Sequence, residues 1–224
     1  MQDETGTPLT THSDSTTPSV SEGPEETTPK TTSRTTTGPG GIPTPAGQVS
    51  RARRKRLFIL LAVVAVLAYV SDQASKAIAL DVLADGSSRP FIGDFIRLQL
   101  IGNPGAALSL GAGNTWVMTL IAGGVLLAIV FVAKDLGSRA WAIALGLLLG
   151  SALGNLTDRF VRPPGGGEGH VVDFLDYNGW FIGNVADIWI VGAAGLIIIL
   201  ALRGIGVDGQ LEHQRRDQGG DVDA

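Results

Sequence analysis

Cysteine is absent from all 224 residues, which excludes disulfides, thiolate metal sites and a cysteine nucleophile. Histidine is nearly as scarce: His12, His170 and His213 stand far apart and no HExxH occurs, so the donor set does not fit a zinc hydrolase. No metal or other cofactor is expected. The 17 basic and 21 acidic residues give a net charge of -4, spread over tails and loops, and no nucleic-acid partner is expected. A secretory leader of the usual form is not expected either, because the first apolar stretch follows about 50 residues of tail rather than a short basic start. That stretch reads as an uncleaved anchor.

What is present divides into two materials. Residues 1–50 are almost wholly Thr, Ser, Pro, Gly and Glu, too poor in apolar surface to offset the entropy of ordering, and are predicted to be disordered. Four apolar stretches follow, at 57–70, 115–133, 140–156 and 188–202, each approaching the roughly 20 residues a helix needs to cross hydrocarbon. The predicted fold is an α-helical membrane protein with four transmembrane helices and a small extracytoplasmic β-element. Its predicted divisions are a disordered cytoplasmic tail at 1–50, a four-helix transmembrane domain at 51–203 and a polar cytoplasmic tail at 204–224.

Basic residues cluster at Arg51, Arg53, Arg54, Lys55 and Arg56, recur between Lys134 and Arg139, and return at Arg203, Arg215 and Arg216. Segments flanked in this way stay in the cytoplasm, which puts both termini inside and two loops outside. In the first loop, about 77–114, "FIGDFIRLQLIGNPGAALSL" alternates apolar and polar residues as strands do and predicts a sheet element at the membrane surface. The second, about 158–182, is glycine-rich at "RPPGGGEGH" and then apolar at "VVDFLDYNGW". Trp116, Trp141, Trp180 and Trp189 fall near span ends, where indole favours the headgroup layer. Gly146, Gly150 and Gly154 recur every four residues on the third span, a stripe that lets a neighbouring helix approach closely, and Asp158 continues it toward the bundle.

Carboxylates near the outer surface are the candidates for chemistry, since acids in or near a membrane are costly and usually face a cavity or a partner. Asp187 lies about one turn inside the outer end of the fourth span, and Asp72 sits at similar depth on the first. Plainer readings compete. An acid in the first helical turn caps the helix and suits its dipole, which accounts for Asp187 equally well. Asp72 and Lys76, four apart, can shield one another as an ion pair. Asp158 and Arg159 diverge around a helix and can be a solvated end. Asp173, however, stands in the apolar segment "VVDF", and the short connection to "NVAD" can bring it to Asp187. Two carboxylates in one water-poor site share a proton: the ionised one deprotonates water and the protonated one polarises a scissile carbonyl, the chemistry of aspartic proteases.

Five motifs occur in order: "SDQASK" (71–76), "NPGAALSL" (103–110), "GNLTDR" (154–159), "VVDF" (171–174) and "NVAD" (184–187). On a four-span chain this series resembles the lipoprotein signal peptidases, the type II signal peptidases of bacteria, over about residues 55–203. The resemblance implies a membrane aspartic endopeptidase that cleaves a prolipoprotein just before its diacylglyceryl-modified cysteine, with Asp173 and Asp187 as the catalytic acids. It implies supporting roles for Asp72, Lys76, Asn103, Gly105, Asn155, Asp158, Arg159 and Asn184. Asn103 is expected to hold substrate backbone, although "NPG" by itself is an ordinary turn signal. Asn155 and Arg159 are expected to orient the dyad or its loop. Two features depart from the family pattern: Gly183 stands where Phe usually precedes the last motif, and "PPGGGEGH" (163–170) lengthens the path from Asp158 to Asp173.

Lipid-modified prolipoproteins and membrane lipids are the expected partners, and a monomer in the cell membrane, with its active site near the extracytoplasmic surface, is the expected state. Three rivals compete. A Ser–Lys hydrolase built on Ser71 or Ser75 and Lys76 suffers from spacings of five and one, which misalign on a helix. A small proton-coupled carrier or channel subunit would place its acids near the midplane. A membrane scaffold would tolerate loss of Asp173 and Asp187.

Overall fold

No glycine or proline falls between residues 51 and 82, where alanine and leucine recur, so nothing in that stretch breaks a helix. The computed structural model, which describes residues 50–105 and 115–211, makes it one helix, α1 (Arg51–Val82). Ser50 caps its start by accepting the Arg53 N–H at 3.3 Å. The buried residues Leu57, Leu61, Ala65, Ala68, Asp72, Lys76 and Ala79 recur at steps of three and four, one stripe down one face. At 32 residues α1 is about 48 Å long, more than the roughly 30 Å of hydrocarbon, so it continues past the span expected at 57–70. The helix ends at Val82, and the turn after it closes at Gly86, whose φ of 70° suits a residue without Cβ.

Three further helices follow: α2 (Thr115–Val132), α3 (Arg139–Val161) and α4 (Val185–Leu202). All four are long and apolar enough to cross a membrane. The core of the bundle is α1 against α3, and the glycine stripe explains why they approach so closely. A Cβ on Gly146 would stand 2.7 Å from the Leu61 carbonyl oxygen, and one on Gly150 would stand 2.2 Å from that of Ala65. The α4 helix also packs on α3, whereas α2 is covered on little of its surface and keeps Leu120, Leu127 and Phe131 exposed.

The two connections on the far side join in one antiparallel sheet of order β1-β2-β3-β4, with β1 (Arg89–Ile92), β2 (Ile96–Asn103), β3 (Val171–Tyr177) and β4 (Ile182–Gly183). The alternation in the first loop foretold β1 and β2. The second loop contributes the sheet's most buried strand, β3, whose near-continuous apolar run reads in sequence only as a short apolar segment. Asn178 and Gly179 turn the chain after β3 at φ values of 54° and 76°, the geometry an Asn-Gly pair favours. Val172, Phe174 and Leu175 seat the sheet on Ala79 and Leu83 at the end of α1.

At the opposite end the Arg53 guanidinium donates to the Gly137 carbonyl at 3.0 Å, and Trp141 Nε1 donates to Ile205 O at 2.9 Å. Gly137 and Ser138 N–H groups both donate to Val207 O. Residues 204–211, the start of the stretch read as a polar tail, therefore fold back onto the connection between α2 and α3. Of the tails expected at 1–50 and 204–224, residues 1–49 and 212–224, with His12, His213, Arg215 and Arg216, lie outside the described residues, as does "AALSL" of the second motif.

Candidate active site

Strand pairing brings the first two groups together. In the β2–β3 register Ile101 lies opposite Asp173 and Asn103 opposite Val171, so the two polar residues are diagonal neighbours. Asn103 Nδ2 donates to Asp173 Oδ2 at 2.8 Å, while its Oδ1 accepts the Gly105 N–H at 2.9 Å. Asn103 therefore closes the turn and contacts Asp173 at the same time.

A helix start brings the rest. Asn184 is the N-cap of α4 and Asp187 its third residue, in a reciprocal capping box. Asp187 Oδ2 accepts the Asn184 N–H at 2.9 Å, and Asn184 Oδ1 accepts the Asp187 N–H at 3.3 Å. Capping is thus a fact for Asp187. It leaves the Asn184 amide nitrogen free to donate to Asp173 Oδ1 at 2.6 Å. One residue holds both carboxylates, one through its side chain and the other through its backbone.

Both acids line one cleft of about 300 Å³ with Asn103, Gly105, Asn155, Arg159 and Asn184. Its remaining wall is Met118, Ile121 and Ala122 of α2, together with Val171. The Arg159 guanidinium reaches the carbonyls of Pro104 at 3.5 Å and Gly105 at 3.4 Å, holding the turn after β2 beside the cleft. Asp173 is 3% exposed. Burial pushes its pKa from 3.8 up to about 6 against the opposing pull of the Asn103 and Asn184 hydrogen bonds, and the charge of Asp187 adds to the rise.

Behind the cleft lies a buried ionic cluster. Lys76 Nζ is 2.8 Å from Asp72 Oδ2, from Asp158 Oδ2 and from Asn155 Oδ1. Asp72 Oδ1 accepts the Ala186 N–H at 3.1 Å, and Asp158 Oδ2 accepts the Val172 N–H at 3.2 Å. The cluster therefore grips the backbone beside each cleft acid, next to Asp187 on α4 and next to Asp173 on β3. Asn155 Oδ1 also accepts from Asn184 Nδ2 at 3.3 Å. Seven of the ten residues singled out in the sequence line the cleft; Asp72, Lys76 and Asp158 support it from behind.

Several contributors escaped the sequence reading. Gln73 Nε2 donates to Asp72 Oδ2, to the Gly154 carbonyl and to Asp158 Oδ1. Arg162 Nε donates to Asp158 Oδ1 at 2.7 Å, a pair whose spacing of four is a signal in the sequence. The α2 wall is apolar and carried no signal. Gly183 leaves the room Asp187 occupies, since a Cβ there would stand 2.7 Å from Asp187 Oδ2. The serines of the rival dyad are otherwise engaged: Ser75 Oγ donates to Asp72 O, and Ser71 Oγ donates to Ala68 O and accepts from Trp189.

A family model described as signal peptidase (SPase) II matches residues 64–203. The chain is 44% identical over 197 residues to the lipoprotein signal peptidase of Leifsonia xyli subsp. xyli (strain CTCB07), covering 85% of this chain and 90% of that one. It is 44% identical over 165 residues to the lipoprotein signal peptidase of Rhodococcus jostii (strain RHA1), covering 74% and 81%. A solved structure described as a bacterial membrane enzyme, determined by the in meso method at 2.3 Å resolution, matches with a TM-score of 0.57 and 29% identity over 64% of this chain and 88% of that one.

Proposed function

From the premise that this chain belongs to the signal peptidase II family, and is therefore a membrane protease of lipoprotein processing, we propose that Asp173 and Asp187 are its catalytic pair. The observation that carries this is the shared hold of Asn184 on both carboxylates at the wall of one cleft. With one proton between them, the ionised carboxylate takes a proton from a water whose oxygen attacks the scissile carbonyl carbon. The protonated carboxyl gives its proton to the carbonyl oxygen. Collapse of the tetrahedral diol then expels the amine, which leaves with a proton returned through the pair. The apparent pKa values belong to the dyad as a unit.

The inferred substrate is a prolipoprotein bearing a diacylglyceryl-modified cysteine, cut on the N-terminal side of that residue. Asn103 and Gly105 flank the cleft where an extended substrate would pass, and Arg159 keeps their turn in place. Asn155 and Asn184 orient the dyad, and Asp72, Lys76 and Asp158 hold the elements that carry it. The basic residues at the end of the bundle opposite the sheet support cytoplasmic termini and a cleft near the extracytoplasmic surface, within membrane lipid. One chain supplies both carboxylates, in keeping with a monomer whose peptidase unit is residues 51–203.

The test is cleavage of a synthetic diacylated prolipopeptide by purified protein in detergent. Asp173→Asn and Asp187→Asn should each lower kcat by at least about 10²-fold while leaving the protein folded. Either variant cleaving at the wild-type rate would refute the assignment.

A further inference from the structure

The α2 helix is the loosely held wall of the cleft. It packs on α3 and on the turn that follows α2 itself (Ala133–Asp135), and among the described residues only Thr119 and Ile129 of this helix are buried. Ile129 belongs to the core at the basic end. At the cleft end the anchor is Thr119.

Thr119 is 9% exposed, and its hydroxyl donates to the Gly167 carbonyl. A threonine inside a helix ordinarily turns its hydroxyl back on its own backbone; here it reaches out to a loop. That loop, residues 163–170, is fixed to the end of α3: the N–H groups of Gly167 and Gly169 both donate to Arg159 O, at 3.0 and 2.8 Å. Gly169 lies so flat on the helix end that a Cβ would stand 2.4 Å from Arg162 O and 2.6 Å from Asp158 O. Gly167 turns at a φ of 97°, and a Cβ on it would touch Thr119 Cγ2 at 3.5 Å. The backbone of Arg159 thus carries the loop while its side chain reaches the cleft turn. Beside Thr119 on the helix, Met118, Ile121 and Ala122 face the cleft that holds Asp173 and Asp187.

Resting on the peptidase reading, we propose that Thr119 is a positioning residue: through Gly167 it fixes the α2 wall against the end of α3. The wall in turn sets how tightly the apolar, lipid-bearing segment of the substrate is held. The glycine-rich insertion is then a strut between catalytic scaffold and substrate wall. Thr119 touches neither reacting group, so its loss weakens binding and spares the chemical step.

The test compares Thr119→Val, which keeps the shape and removes the hydroxyl, with Thr119→Ser, which keeps the hydroxyl. With a long-chain diacylated prolipopeptide, Thr119→Val should raise KM about three- to tenfold with kcat within about twofold of wild type. Thr119→Ser should match wild type, and the KM increase should shrink on a peptide with short acyl chains. An unchanged KM, a loss confined to kcat, or equal behaviour of the two variants would overturn the proposal. A second readout needs no activity: the absence of cysteine lets spin labels be placed at Leu120→Cys and Val191→Cys, both lipid-facing. The distance distribution between them should broaden in Thr119→Val and stay narrow in Thr119→Ser; identical distributions would overturn the clamp. Failure of wild type to cleave would count against the peptidase reading alone, because the label distances judge the clamp separately.

Discussion

Asp173 holds its proton more tightly in the folded protein than in the unfolded chain, with a pKa raised from 3.8 to about 6. Such a group contributes stability that is fully present below about pH 3.8 and is lost as the pH rises through about 6. A rise of that size corresponds to roughly 3 kcal/mol, so at neutral pH the folded protein bears a cost at this buried acid. Asp173→Asn removes that titration. The stability of wild type relative to the variant, followed by thermal melting in detergent, should fall between pH 4 and pH 6 and level off above; parallel curves would show that burial does not raise this group. Asn103 illustrates how one residue answers two demands. Its amide oxygen closes a turn and its amide nitrogen reaches a buried acid, so the turn signal in "NPG" and the contact with Asp173 are compatible.

Helix packing is decided by small residues on facing stripes. Gly150 lies where a Cβ would stand 2.2 Å from a backbone oxygen of α1, which cannot move without shifting the whole helix; Gly124 on α2 has nothing within 4 Å of its Cβ position. The same substitution should therefore act in opposite directions. Gly150→Ala should destabilise by about 1–3 kcal/mol through overpacking, and Gly124→Ala should stabilise by about 0.5–1 kcal/mol through helix propensity. Melting of the two variants beside wild type checks both signs. The stripe of Gly146, Gly150 and Gly154 was legible because spacing alone reveals a face. Its partner was not, since the alanines and leucines of α1 look alike on every side until one stripe is covered.

Across the molecule, the buried cluster of Asp72, Lys76 and Asp158 joins α1 to α3 and, through the N–H groups of Ala186 and Val172, to α4 and β3. Such a cluster is expensive to desolvate and far more expensive to break, because the remaining partners stay buried and charged. Lys76→Met fills a similar volume yet leaves Asp72 without its cation and Asp158 with Arg162 alone. It should cost about 3–5 kcal/mol and remove prolipopeptide cleavage, as Asn155 keeps only the longer hydrogen bond from Asn184. A variant that melts and cleaves like wild type would show that the cluster does not tie the elements together. The expectation of mutual shielding for Asp72 and Lys76 was correct as far as it went. Asp158, Asn155 and Gln73 complete the shell from residues roughly eighty positions away or on the wrong face for a helical pair, which sequence spacing does not reveal.

The sequence by itself determined four spans, a sheet outside them and a short set of acids and amides, because hydropathy, alternation and motif order are local properties of the chain. Only the tertiary structure decided that β3 lies at the heart of the sheet and that Asn184 links Asp173 to Asp187. It also decided that apolar side chains of α2 line the cleft and that Thr119 of the same helix bonds the loop at Gly167. Those facts depend on strand register and helix contact between distant segments, and local chemistry leaves such pairings open.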